Sequence, residues 1–216
     1  MAEADESAPA DSPAEEGFPA KVELTAEQVF ALLAEGKPVE NARIKRLRLR
    51  GAFDKPIVFR HCAIAGLSVE GCAFAEDVKF IGCALDRPQF SKANTFEKGL
   101  DFASTTLSKA LIVRMTVKGT FNATNAEFRG KLTFADNNFE GRSTFWEAKF
   151  RCWIDLKLCD FRGDADFRSV HAEQGFVLTG CTFRGDFLFR GSLVAKKFQA
   201  DGSASSKRIG PSTASR

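Results

Sequence analysis

Histidine occurs only twice in this chain of 216 residues, as His61 and His171, and nothing in the sequence brings the two together. Catalysis relies on convergent groups: a nucleophile with its base, carboxylates paired in a pocket, or a metal cluster with an open position. No such constellation is spelled out. No GxxxxGKS or GxxxxGKT phosphate loop occurs either, and no metal or cofactor motif takes its place. No unbroken apolar run approaches the roughly 20 residues of a membrane-spanning helix. The opening MAEADESAPADSPAEEG has neither a basic region nor an apolar stretch and does not resemble a secretory signal. The expectation is a cytoplasmic, non-enzymatic protein without cofactors.

What the chain does have is phenylalanine on a beat of five then six. Reading from Cys72, it breaks into eleven-residue units: CAFAEDVKFIG, CALDRPQFSKA, NTFEKGLDFAS and, past a slip in the beat, AEFRGKLTFAD, NNFEGRSTFWE, AKFRCWIDLKL, CDFRGDADFRS, VHAEQGFVLTG and CTFRGDFLFRG. Each unit has a small residue first, a large apolar one third, often Gly fifth and another large apolar one ninth. A fixed short period means a solenoid, whose units bury their apolar faces only by stacking. Spacings of five and six do not keep one face on a 3.6-residue helix, so the units read as short strands. The glycines at position five are expected at corners that need unusual backbone angles.

Charge is spread unevenly. Glu3, Asp5, Glu6, Asp11, Glu15 and Glu16 are the only charges in the first twenty residues, and setting those six carboxylates aside moves the formal charge from +3 to +9. Residues 1–21 read as a disordered acidic tail and 199–216, DGSASSKRIGPSTASR at its end, as a disordered basic one. Between them, LTAEQVFALLAEGKPVENA predicts a short amphipathic helix within 22–41. Thr25 serves as N-cap, Gln28 follows three residues later, Val29, Leu32 and Leu33 form the apolar stripe, and Gly36 and Pro38 stop it. Its place before the repeats, which run over 42–198, suggests a cap on the solenoid's end. The repeats open with IKRLRLRG, whose alternation fits a strand with one face buried.

Five of the six cysteines, Cys62, Cys72, Cys83, Cys159 and Cys181, open a unit, where other units carry Ala, Asn, Thr, Ser or Val; they read as small buried fillers. Cys159 and Cys181 stack near the separation a disulfide tolerates, with thiols expected in a reducing compartment. Cys152, fifth in its unit, is expected to be exposed.

These residues resemble the pentapeptide-repeat proteins, in the variant with long units FxGxxxFxxAxF. The matching segments include Phe128 to Gly130 with Phe134, Phe139 to Gly141 with Phe145, Phe161 to Gly163 with Phe167, and Phe183 to Gly185 with Phe189. The resemblance covers roughly residues 44–198 and implies an all-β, right-handed quadrilateral parallel β-helix with a short N-terminal capping α-helix. Two units would form one four-faced coil. Phe139, Phe161 and Phe183 would form one interior ladder, and Phe145, Phe167 and Phe189 another. About seven coils would give a rod of roughly 35 Å. The beat slips near Gln89/Phe90 and near Val117.

A packed interior leaves the outside as the working surface. Arg162 with Arg184, Arg168 with Arg190, and Arg129 with Arg151 would stack two units apart, interleaved with Glu140, Asp155, Asp160, Asp164, Asp166 and Asp186. They form either a solvated mixed-charge face or a site for an acidic or nucleic-acid partner. Trp146 and Trp153 fall outside or at corners, and with Arg142 and Arg151 they make a candidate docking patch; the alternative is a corner Trp folded over its neighbour. Phe187, Leu188, Leu193, Val194 and Phe198 lie in the last coil with no helix after them, an apolar edge that suits a homodimer unless the tail caps it.

The leading functional expectation is a scaffold or adaptor that binds another macromolecule through the outer faces of a rigid rod. The alternative that the resemblance brings is a gyrase-interacting, topoisomerase-targeting DNA mimic, which requires a strongly acidic rod; +9 argues against it. Direct nucleic-acid binding through the basic stripes is a further alternative.

Overall fold

The computed structural model describes residues 22–205; both expected tails lie outside them, except residues 199–205. The chain winds through about eight turns of a parallel β-solenoid with four faces. The first face is an eight-stranded sheet from Val39–Glu40 to Phe187–Leu188, and the second a nine-stranded sheet from Val22–Glu23 to Leu193–Val194. The third and fourth belong to one fourteen-stranded sheet, because two long strands, Leu47–Phe53 and Leu67–Phe74, run through the corner between them. At about 4.8 Å per coil, eight coils make a rod of roughly 38 Å. No helix among the described residues is long and apolar enough to cross a membrane.

Coil length changes along the rod. Val39 pairs with Phe59 and Leu47 with Leu67, a period of 20, whereas Phe139 pairs with Phe161 and Phe161 with Phe183, a period of 22. The slip in the beat is one such change. Gln89 pairs with Leu111 but Asn94 pairs with Met115, one residue fewer, and the surplus is absorbed at Lys92 and Ala93, two successive residues with positive φ.

Inside, phenylalanines stack as the period requires. Phe53, Phe74 and Phe96 form one run with ring centroids 5.1 and 4.9 Å apart, and Phe139, Phe161 and Phe183 continue it at 4.9 Å per step, with Val117 bridging the two. The chain has 22 phenylalanines and no tyrosine, so this aromatic core carries no hydroxyl that would need a partner. The second expected ladder holds only for its first step. Phe145 stacks on Phe167 at 4.5 Å, but Phe167 then meets Phe187 at 5.5 Å, while Phe189 turns to Phe176 at 5.2 Å. Ser143 and Ala165 leave room on the rungs below; Phe187 occupies that column in the last coil and fills it.

Of the glycines at position five, Gly130 takes the unusual angle expected, with φ of 67°, but the others do not. Gly141, Gly163 and Gly185 have ordinary backbone but stack so tightly that a Cβ on Gly163 or Gly185 would lie 2.5 or 2.6 Å from the glycine backbone of the coil below. The residue closing a unit lies in the left-handed region: Gly82, Ser104, Asn125, Asp136, Glu147, Leu158, Ser169 and Gly180 all have φ between 52 and 62°. That residue turns the corner.

The first residue of a unit does more than fill space. Asn94 accepts from the Cys72 N–H at 2.9 Å and donates to the Val69 carbonyl at 3.0 Å; Asn137 does the same with Met115 and Ile112, and Ser203 with Cys181 and Leu178. Each ties its corner to the coil beneath and satisfies backbone groups that the strand ladders leave over. Cys181 occupies such a slot, its thiol donating to the Leu156 carbonyl at 3.0 Å. All six cysteines are free and buried, Cys159 and Cys181 among them. Cys152 is therefore not exposed as expected; it turns inward beside the Phe128 carbonyl, and burial pushes its thiol up to about 11.

The helix Ala26–Ala34 starts at Thr25 with a capping box to Gln28, and Gly36 with φ of 72° ends it. Val29 and Leu33 are buried in the same core as the coils, which makes the helix the lid on the first coil. The lead-in also contributes strands, Val22–Glu23 laid on Ala42–Arg43 and Val39–Glu40 laid on Phe59–Arg60. At the other end Phe198–Asp201 pairs with the third face and Ala204–Ser205 with the fourth, so the coil continues past the boundary at 198. These residues supply backbone pairing rather than apolar bulk, which is why composition hid them.

Candidate functional site

On the first face the outward positions form a column: Lys79, Asp101, Asn122, Thr144, Asp166. Four of them accept a backbone N–H two residues on: Asp101 from Ala103 at 2.8 Å, Asn122 from Thr124 at 3.0 Å, Thr144 from Trp146 at 3.3 Å and Asp166 from Arg168 at 3.1 Å. Each polar side chain is thereby folded onto its own corner and held rigid. Asn122 also donates to Asp101 at 3.0 Å, which links adjacent coils.

Asp166 anchors the upper end. Its side chain is 1% exposed, yet Arg168 reaches it at 2.7 Å and Arg142 at 3.1 Å. Burial pushes the carboxyl up, but the bonds from Arg168 and Arg142 outweigh it and hold the group below the usual aspartate range. Both guanidinium stems stay at the surface, fixed in position by one buried charge.

Trp146 follows Thr144 at the corner and is 44% exposed. Its carbonyl accepts from the Asn125 N–H, and the Arg168 carbonyl accepts from the Glu147 N–H, so Arg168 sits one rung above the indole. Two concavities meet at this side chain. One, of about 530 Å³, runs down the face between Trp146, Arg142, Thr144, Asn122, Lys98 and Lys79; the other, of about 370 Å³, lies between Trp146, Arg168, Ser169 and Arg190. A large aromatic surface, two clamped arginines and a row of immobilised amide and hydroxyl groups make this a surface suited to docking.

The docking patch read from the sequence is divided by the fold. Trp146 lies beside Ser143–Thr144 on the first face, whereas Trp153 opens Trp153–Lys157 on the third, and Lys149–Phe150 of the second face separates them. Arg142 stands with Trp146. Arg151 belongs elsewhere, bound to Glu127 at 2.8 Å and to Glu173. Arg162 and Arg184 share Asp160, each at 3.2 Å, and Arg162 also reaches Glu140 at 3.6 Å. These stacked arginines are thus interleaved with acids, the solvated mixed-charge arrangement. Of the C-terminal edge, Phe187 is buried; Leu188, Val194 and Phe198 are half-buried, and Leu193 is 66% exposed.

Asp166 and Arg168 were missing from the expected patch. Nothing within the unit CDFRGDADFRS distinguishes them; their partnership with Arg142 spans 24 residues and emerges only from the coil length. No family model, curated protein or solved structure matches this chain.

Proposed function

We propose that this chain is a pentapeptide-repeat protein that acts as a non-enzymatic, cytoplasmic adaptor, docking a partner protein on the first face around Trp146. The observation that carries this reading is the preorganisation of the groove. The exposed indole is bracketed by Arg142 and Arg168, both pinned on the buried Asp166. Rigid aromatic and arginine side chains lose little entropy on binding and dominate interface energetics.

The test is affinity capture from native lysate with nuclease present, comparing wild type, Trp146→Ala and Trp153→Ala, followed by direct titration of the captured protein. Binding of one protein that weakens about tenfold or more with Trp146→Ala and not with Trp153→Ala supports the reading. Equal recovery by all three sinks it. If the chain recovers only itself, and Leu193→Asp abolishes that, the C-terminal coil is the interface and the homodimer replaces the adaptor. DNA mimicry toward gyrase is the less favoured reading, because a mimic needs acidic stripes and the arginines and acids here alternate.

A further inference from the structure

A second surface, independent of the Trp146 groove, lies along the corner where the second face meets the third. The strand register stacks Arg48, Ser68, Gln89, Leu111 and Thr133, and sets Phe134 beneath Leu156. Two places back along each coil come Arg46, Gly66, Arg87, Lys109, Lys131 and Trp153, about 4.8 Å per rung, except that Gly130 stands directly over Lys109 and sets Lys131 one place along the corner. Every charged member of this column is exposed, and so is Arg48 beside it.

Few acids stand among these cations. Arg87 pairs with Asp86 at 3.1 Å. The nearby Glu70 is already taken by Arg50 at 2.7 Å and Lys92 at 2.8 Å. Among the described residues, Arg46, Arg48, Lys109 and Lys131 form no ion pair. At Gly66, which has no side chain, the rung opens as a notch of about 350 Å³ walled by Arg46, Arg48 and Arg87, with Glu70, already bound by Arg50 and Lys92, at its edge.

Trp153 follows Lys131, and the column continues above it through Gly175 to the exposed Lys197. One side of the Trp153 indole rests on Gly175, where a Cβ would come within 2.6 Å of the ring, and 48% of the residue is in solvent. A line of cations, most of them without an acid partner, beside an open aromatic ring matches a phosphate backbone with at least one unstacked base. A duplex keeps its base faces covered and could use only the charges.

We propose that this corner binds single-stranded nucleic acid, with phosphates along Lys131, Lys109 and the Arg46/Arg87 notch and a base stacked on Trp153. The test is fluorescence anisotropy of the full chain with a short labelled oligothymidylate. With about four phosphate contacts, affinity should fall roughly 50-fold between about 50 and 200 mM salt. Trp153→Ala should weaken binding about tenfold, and Lys109→Glu with Lys131→Glu should weaken it further and flatten the salt dependence. Gly66→Glu, which puts an acid in the notch, should also weaken it about tenfold or more, whereas Gly66→Ala should keep it, since a Cβ there makes only an ordinary 3.5 Å contact. Circular dichroism melts show that each variant is folded.

Three results would overturn the proposal: no anisotropy change at low salt, equal loss on Trp146→Ala, or a polyglutamate peptide binding as tightly as the oligonucleotide. The last would assign the corner to an acidic protein. Failure here leaves the Trp146 reading untouched, because the variants lie on different faces.

Discussion

Gly163 stacks on Gly141 so closely that a Cβ on Gly163 would meet the Gly141 carbonyl carbon and oxygen at 2.5 Å. Gly185 repeats the relationship with Gly163 one coil higher. The atoms in the way are backbone, which cannot move without opening the ladders on both sides. Gly163→Ala should therefore cost about 2–3 kcal/mol, as overpacking does in a tight core. Gly66→Ala, with room at 3.5 Å, should stay within about 0.5 kcal/mol. Urea midpoints of the two variants measure the contrast; equal midpoints would mean that the coils separate more easily than the stacking indicates.

Phe161 is held between Phe139 and Phe183, each 4.9 Å away, with the edge of Phe167 at 6.1 Å. Phe161→Ala would leave a void that neighbouring coils, tied by strand pairing above and below, cannot close. The loss should be about 3–5 kcal/mol, read from the shift in the urea midpoint against wild type. A shift near zero would contradict the ladder.

The Ser143 hydroxyl is buried without a partner on a rung where Phe121 and Ala165 stand below and above. Ser143→Ala removes a desolvated hydroxyl and almost no volume. It should stabilise the chain by about 1 kcal/mol, seen as a higher melting temperature. A lower melting temperature would show that the hydroxyl has a partner.

Glu70 accepts bonds from Lys92, Ser68 and Arg50, which together hold its carboxyl down to about 2. A carboxyl depressed in the folded state contributes stability that is fully present above its unfolded value and lost as pH falls through the folded one. The contribution should thus be intact above about 4.3 and disappear on approach to pH 2. The melting-temperature gap between wild type and Glu70→Gln should be constant near neutral pH and close below about pH 4. A gap independent of pH would rule out the charge as its source.

Much of this architecture was legible in the chain. The eleven-residue beat is a statement about direction: residues at equal places in successive units point the same way, so the inward Phe139, Phe161 and Phe183, the small residue opening each unit and the outward arginines could be assigned before any coordinates. The helix signals around Thr25 and Gln28 are local for the same reason. Direction within a unit does not say what lies above or below it. That depends on coil length, which drifts from 20 to 22, and on which residue turns the corner. Only the tertiary structure decided that Cys152 turns inward, that Gly141, Gly163 and Gly185 serve close stacking, that Trp146 and Trp153 face different sides, and that Asp166 joins Arg142 to Arg168. Each of these is a contact between coils or across a corner, set by vertical register, and a period along the chain carries no information about register until the winding itself is known.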